Sequence, residues 1–418
     1  VADSTSCTLL QPRPHGDKKY MLACIVQIVF SALVVLAVLS ECSWVQPKNS
    51  RLAFLALVYA WYATTTIWAA NTKKIEKGII AEGVHLYPSA SFWLTLFPQV
   101  LSCICITAIA GGRKLTAKVA KSSVDSTEGL GQACWYAAGA GFFFGQLFTV
   151  EGLGAGAPGL VFGVKVLEPL STSLLAIPVL GQRLNWRLLV AVMVACSGIL
   201  LCVVGAHRGA PSKGGDFNEW KVIVGAILAN LGFSSRACVM KKAYSQRSIS
   251  PLETFFKVNV VAGACGVLML IVWAIYLATC PERFVYFANV FHQLAAKPWK
   301  WFATCLCYFL YQCSSILLLD CLLVETHALL VALKHIFVVI LASVMSGSPI
   351  NTLMIIGIVV ASLGVFAYSV SPGDTEARTS LLPPNEKKVK PSSGIPLVLC
   401  FLLSGLGVLG ILSPFLYV

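Results

Sequence analysis

Apolar runs about 20 residues long, enough for a helix to cross a roughly 30 Å hydrocarbon core, recur from one end of the sequence to the other. That recurrence leaves little choice of fold. Inside lipid every backbone amide must be satisfied within the protein, so such runs become helices packed into a bundle. The spans read from the sequence are Tyr20–Ser40, Leu52–Ala70, Ser91–Ala110, Gly131–Val150, Gly159–Leu180, Arg187–Ala206, Val222–Ala243, Thr254–Thr279, Trp301–Leu322, Thr326–Ser346, Thr352–Val370 and Ile395–Tyr417. Tyr20–Ser40 follows Lys18 and Lys19 and is read as a retained helix, a signal segment being the other reading. The long polar stretches 111–130 and 371–394 lean towards the cytosolic side by their basic residues.

Charged residues are only 12% of the chain against 57% hydrophobic, which leaves no stretch to fold as a separate soluble domain. The net charge of +13 is spread over short loops, the pattern of basic residues anchoring loops at anionic lipid, and does not point to nucleic acid. Most of the 16 cysteines sit inside apolar runs, where they act as small apolar residues. None has the spacing of a metal or redox motif, and neither metal nor cofactor is expected.

The costly residues are the charges inside the spans. Lys165 lies in Gly159–Leu180 and Lys334 in Thr326–Ser346. A charge at that depth costs a few kcal/mol even on the gentle insertion scale, and survives by facing a partner, a cavity or a substrate. The two lysines are also related. Asn71-Thr72-Lys73-Lys74 precedes the first and Val239-Met240-Lys241-Lys242 the second at nearly the same offset. Each lysine is followed by Leu184-Asn185 or Ile350-Asn351, then by Ala195-Cys196-Ser197-Gly198 or Ala361-Ser362-Leu363-Gly364. A five-helix repeat is inverted in the membrane, because an odd number of crossings flips the second copy. Inverted repeats place the substrate near the midplane between the halves.

The expected fold is therefore an all-α integral membrane protein with a ten-helix core of two inverted five-helix repeats and one extra transmembrane helix at each end. Its parts are 1–51, 52–206, 207–370 and 371–418. Two ammonium groups sharing a low-dielectric site repel unless an anion lies between them, and a phosphate ester suits that arrangement. Glu168, one turn from Lys165, is the rival explanation for that lysine. Polar residues in the same spans complete the candidate site: Gln146 and Thr149, Arg236 and Lys241, Tyr311 and Gln312, His327 and His335.

These residues resemble the plastid sugar-phosphate/phosphate translocators of the triose-phosphate type, within the drug/metabolite transporter superfamily. The resemblance spans roughly 52–370 and is carried by Asn71-Thr72-Lys73-Lys74, Lys165-Val166-Leu167-Glu168-Pro169, Arg236 with Lys241-Lys242, and Thr326-His327 with Lys334. It implies that Thr149, Lys165 and Lys334 hold the phosphate and that Tyr311 contacts the organic part. The sequence departs from the family where His335 replaces an arginine and Gln146 replaces a histidine. A guanidinium reads phosphate bidentately and an imidazole does not.

The function expected is exchange of a phosphorylated organic metabolite, a triose phosphate or similar sugar phosphate, for inorganic phosphate by alternating access. The alternative is a nucleotide-sugar or other anionic-metabolite transporter of the same superfamily, with or without proton coupling. The expected partners are the lipid bilayer, a small organophosphate and phosphate, not nucleic acid. The expected location is a plastid or plastid-derived membrane, alternatively the Golgi or endomembranes. A membrane enzyme would need a catalytic cluster at one membrane face, and the sequence offers only scattered groups.

Overall fold

The structure, a computed structural model, describes residues 14–39, 51–81, 89–109, 132–155, 158–165, 167–181, 186–208, 219–246, 251–279, 298–322, 324–345 and 352–370. Every element among them is a helix: α1 (Pro14–Leu39), α2 (Arg51–Ala81), α3 (Ser89–Ile109), α4 (Gln132–Ala155), α5 (Pro158–Lys165), α6 (Glu168–Leu180), α7 (Trp186–Arg208), α8 (Glu219–Gln246), α9 (Pro251–Thr279), α10 (Pro298–Cys321), α11 (Val324–Met345) and α12 (Thr352–Val370). By length and composition Leu52–Thr72, Ser91–Ile109, Ile223–Ala243, Pro251–Ile275 and Pro298–Cys321 can each cross a membrane. The expected span Ile395–Tyr417 and the stretches 111–130 and 371–394 lie outside the described residues.

Burial sorts the helices. The middle of α10 is buried almost without interruption from Thr304 to Leu319. In contrast, α9 leaves Val267, Leu268, Ile271, Val272 and Ile275 exposed. An apolar face of this kind is what a helix at the rim of a membrane bundle turns towards acyl chains. The helix α1 packs on α2. Tyr59 Oη donates to Gln27 Oε1 at 2.7 Å, and the Phe30 ring meets the Tyr59 ring edge-on at 5.6 Å.

Two expectations need correction. The run Gly159–Leu180 is not one helix, because α5 ends at Lys165 and α6 begins at Glu168. The reason is covalent. In a continuous helix the Lys165 carbonyl would accept from the amide four residues on, and that residue is Pro169, which has no N–H. The chain makes a tight turn instead, Leu167 N donating to Val164 O at 3.1 Å, and Pro169 starts the new helix where a missing donor costs nothing. Lys165 therefore caps a half-helix, whereas Lys334 lies inside α11 as expected. The second correction concerns α2, which does not end with the expected span at Ala70 but runs on through Lys73-Lys74 to Ala81.

The closest helix approaches are made by small residues, which let backbones touch without a side chain between them. The pairs α7–α12 and α4–α8 pack most extensively, followed by α2–α10. In the first pair the contact is reciprocal: Gly198 of α7 faces the Ala361 backbone, and Gly364 of α12 faces the Ala195 backbone. In the second, Gly141 and Gly232 face each other across α4 and α8.

Gly198→Leu would place its side chain on the Ala361 backbone. It is expected to leave no monodisperse protein on size-exclusion chromatography in detergent. Gly263→Ala, at a position with no heavy atom within 4 Å, is expected to elute as the wild type does. A Gly198→Leu protein of normal yield and elution volume would show that the close approach is dispensable.

Candidate functional site

Seven helices converge on one cavity. On α2, Trp61, Thr65 and Trp68 line it, spaced at i, i+4 and i+7 so that they share a face. Gln146 and Thr149 come from α4, Phe162 and Lys165 from α5, and Glu168 from the first turn of α6. The helix α8 adds Phe233, Arg236 and Ala237, and α10 adds Tyr311, Gln312 and Ser315. Along α11, His327, Val331, Lys334 and His335 complete the wall.

Each cation in the cavity rests on an aromatic face. Lys165 Nζ lies 4.3 Å from the centre of the Phe233 ring and donates to Thr149 Oγ1 at 3.0 Å. The Thr149 hydroxyl proton is directed to Gly145 O at 2.7 Å, which leaves its lone pairs for the lysine. Lys334 Nζ lies 4.8 Å from the Trp61 ring and 5.5 Å from the Tyr311 ring. The Arg236 guanidinium lies 4.5 Å from Phe142 and 5.6 Å from Phe233.

Glu168 also lines the cavity, so its role as sole partner of Lys165 can be tested. No ion pair within 4.0 Å joins it to Lys165 or to Lys334 among the described residues. Instead each group is favoured by its helix end: the lysine closes α5 at the negative pole, and the glutamate opens α6 at the positive pole. That interaction is worth about 2 kcal/mol at most. A ring face under a desolvated ammonium adds about 2 kcal/mol, while taking an ion out of water costs several. For Lys165 the two contributions together are of the same order as that cost.

A hydrogen-bond chain crosses the cavity between three helices. Arg236 Nη1 donates to Gln312 Oε1 at 2.9 Å, Gln312 Nε2 donates to Tyr311 Oη at 2.8 Å, and Tyr311 Oη donates to Gln146 Oε1 at 3.3 Å. At its far end Gln146 Nε2 is buried without a hydrogen-bond partner. On α11 the His327 ring stacks on Trp61 at 5.2 Å, and a 3.0 Å hydrogen bond joins its Nε2 to Ser315 Oγ. His335 packs against Phe162 at 5.3 Å, with its Nδ1 buried and unbonded.

Of the residues singled out in the sequence, Gln146, Thr149, Lys165, Arg236, Tyr311, Gln312, His327, Lys334 and His335 all line this one cavity. Lys241 does not. Its Nζ donates to Leu319 O at 3.2 Å and Asp320 O at 3.3 Å, at the carbonyl end of α10, where a cation suits the helix dipole.

The sequence pattern of the Triose-phosphate Transporter family matches residues 51–369 of this chain, which takes in every helix that lines the cavity. The chain belongs to that family. It is an integral membrane transporter of the sugar-phosphate or nucleotide-sugar type, not an enzyme. No curated protein sequence matches it. A solved structure described as "Crystal structure of protein" covers 76% of this chain and 97% of its own, at 16% identity and a TM-score of 0.42, and carries no argument.

Sequence reasoning passed over Trp61, Thr65, Trp68, Phe162, Phe233 and Ser315. A signal was present in α2, where Thr64, Thr65 and Thr66 interrupt the apolar run beside two tryptophans. Thr65 Oγ1 donates back to Trp61 O at 2.7 Å, so the threonine disguises itself as an ordinary helix residue.

Gln312 is the centre of the chain, so Gln312→Leu removes an acceptor from Arg236 and a donor from Tyr311. Each buried polar group left short costs about 1–3 kcal/mol. A lower thermal midpoint of the detergent-purified protein is expected, largely restored in Gln312→Glu, which keeps an acceptor for the guanidinium. Equal midpoints for Gln312→Leu and wild type would count against the chain as a stabilising element.

Proposed function

We propose that this transporter exchanges a phosphorylated organic metabolite, a triose phosphate or similar sugar phosphate, for inorganic phosphate by alternating access. One observation carries the proposal. Lys165, Lys334 and Arg236 share a cavity with Glu168 as the carboxylate among its described lining residues, so ionised side chains leave an excess of two positive charges. A phosphate dianion or phosphate monoester dianion neutralises that excess. In this reading Lys165, Lys334 and Thr149 hold the phosphate. Gln146, Tyr311, Gln312, Arg236, His327 and His335 form the surrounding wall that meets the organic part.

Obligatory exchange follows from the same charges. In the empty cavity the cations repel across low dielectric and oppose closure of the walls around them. With a dianion bound the repulsion is cancelled, and the loaded carrier can pass to the opposite-facing state. We read residues 52–206 and 207–370 as two inverted five-helix units. The reciprocal Gly198–Ala361 and Gly364–Ala195 contacts support this reading, as does the parallel between the α4–α8 and α2–α10 pairings. The Tyr20–Ser40 helix and 395–417 are then additions to the core, and the resemblance in the motifs favours a plastid-type membrane. The ring faces of Trp61, Trp68, Phe162 and Phe233 favour a second reading, a nucleotide sugar whose base stacks in the cavity.

The test is counter-exchange in liposomes preloaded with phosphate, triose phosphate, phosphoenolpyruvate, hexose phosphate or a nucleotide sugar. Uptake of labelled phosphate is expected only against an internal phosphate compound. Lys165→Ala and Lys334→Ala are each expected to reduce it to background while the amount of folded protein stays normal. Equal uptake into empty liposomes would sink the exchange reading, and preference for nucleotide-sugar interiors would select the second.

A further inference from the structure

The break between α5 and α6 is bridged from outside by one stripe of α8. Asn230 Nδ2 donates to Val164 O at 2.8 Å, Ser234 Oγ donates to Glu168 O at 3.3 Å, and Cys238 Sγ lies 3.7 Å from Thr172 O. The three side chains are spaced at i, i+4 and i+8 on α8. The three carbonyls are spaced in the same way along α5 and α6, so each rung joins residues 66 positions apart. The ladder keeps its register across a gap where the α5–α6 helix itself does not. Thr172 Oγ1 adds a bond to Ser234 Oγ at 2.9 Å. Asn230 and Ser234 are buried, where a polar side chain is kept only if its hydrogen bonds matter.

The rungs sit beside the charged groups. Val164 precedes Lys165, and the second rung ends on the backbone of Glu168 itself. On the same α8, Phe233 and Arg236, one position before and two after Ser234, line the cavity. Pro169 has removed the helical bond that would span the break, and the ladder ties the residues on both sides of it to the helix that carries Arg236.

We propose that Asn230 and Ser234 are positioning residues of the anion site, splinting the α5–α6 break so that Lys165, Glu168 and Arg236 stay in register. The proposal rests on the reading of the cavity as an anion site, and neither residue lines that cavity. Asn230→Leu and Ser234→Val remove one rung each, while Ser234→Thr, matched in volume to the valine, keeps a hydroxyl.

Two measurements on the full chain in detergent test it. Hydrogen–deuterium exchange of the peptide covering 158–181 is expected to speed up in Asn230→Leu and Ser234→Val and to stay near wild type in Ser234→Thr. Thermal stabilisation by inorganic phosphate is expected to need about tenfold more phosphate in the first two variants. A merely structural loss would lower the phosphate-free midpoint and leave that concentration alone. Unchanged exchange over 158–181 overturns the splint, and faster exchange with an unchanged phosphate requirement overturns its positioning role. A wild type that phosphate fails to stabilise overturns the anion-site reading and, with it, the positioning role.

Discussion

A charge held away from water must face something, and in this bundle that constraint governs where the polar residues go. Desolvating an ion costs several kcal/mol, more than a ring face or a helix pole returns. The chain answers by gathering Lys165, Lys334 and Arg236 around one cavity instead of scattering them, and by putting an aromatic surface under each. Lys241 shows the contrasting solution. It also lies in an apolar helix, but donates to backbone carbonyls at the end of α10 and is not among the residues that line this cavity.

The two lysines are related in sequence but not alike in local structure. Lys334 sits within a continuous helix, while Lys165 ends a half-helix because Pro169 lacks a donor. The difference gives the two groups different freedom. A residue inside a helix is held by bonds on both sides, whereas one at a break depends on what packs beside it. The side chains of α8 supply that restraint across the gap. The cavity thereby acquires one firmly anchored cation and one whose placement is set by a neighbouring helix.

The sequence showed the helices well, because apolar runs long enough to span lipid have few other folds available. It also showed the charged half of the site, since an intramembrane lysine or arginine is conspicuous by its cost. Phe233 and Trp61 were not legible, because an aromatic residue facing a cavity has the same local pattern as one facing the core. Asn230 and Ser234 were missed for a related reason: their partners are carbonyls, which every residue has, so no spacing in the sequence marks them. The α5–α6 break was readable in principle from Pro169, but its effect depended on whether Val164 and Lys165 found other donors, which is a tertiary matter. Lys241 joined the candidate residues on its depth in the helix, and the sequence does not give which way it turns, which is towards the end of α10.

The reciprocal approach of Gly198 to Ala361 and of Gly364 to Ala195 has a mechanical consequence. Two backbones in direct contact cannot slide past each other without an intervening residue colliding, yet they can tilt about the point where they touch. Under the alternating-access proposal the α7–α12 pair acts as a fulcrum, and a substitution there that left folding intact would stiffen the swing of the bundle without altering the cavity. The cavity residues lie on other helices, so this contact and the cavity are built from separate parts of the chain.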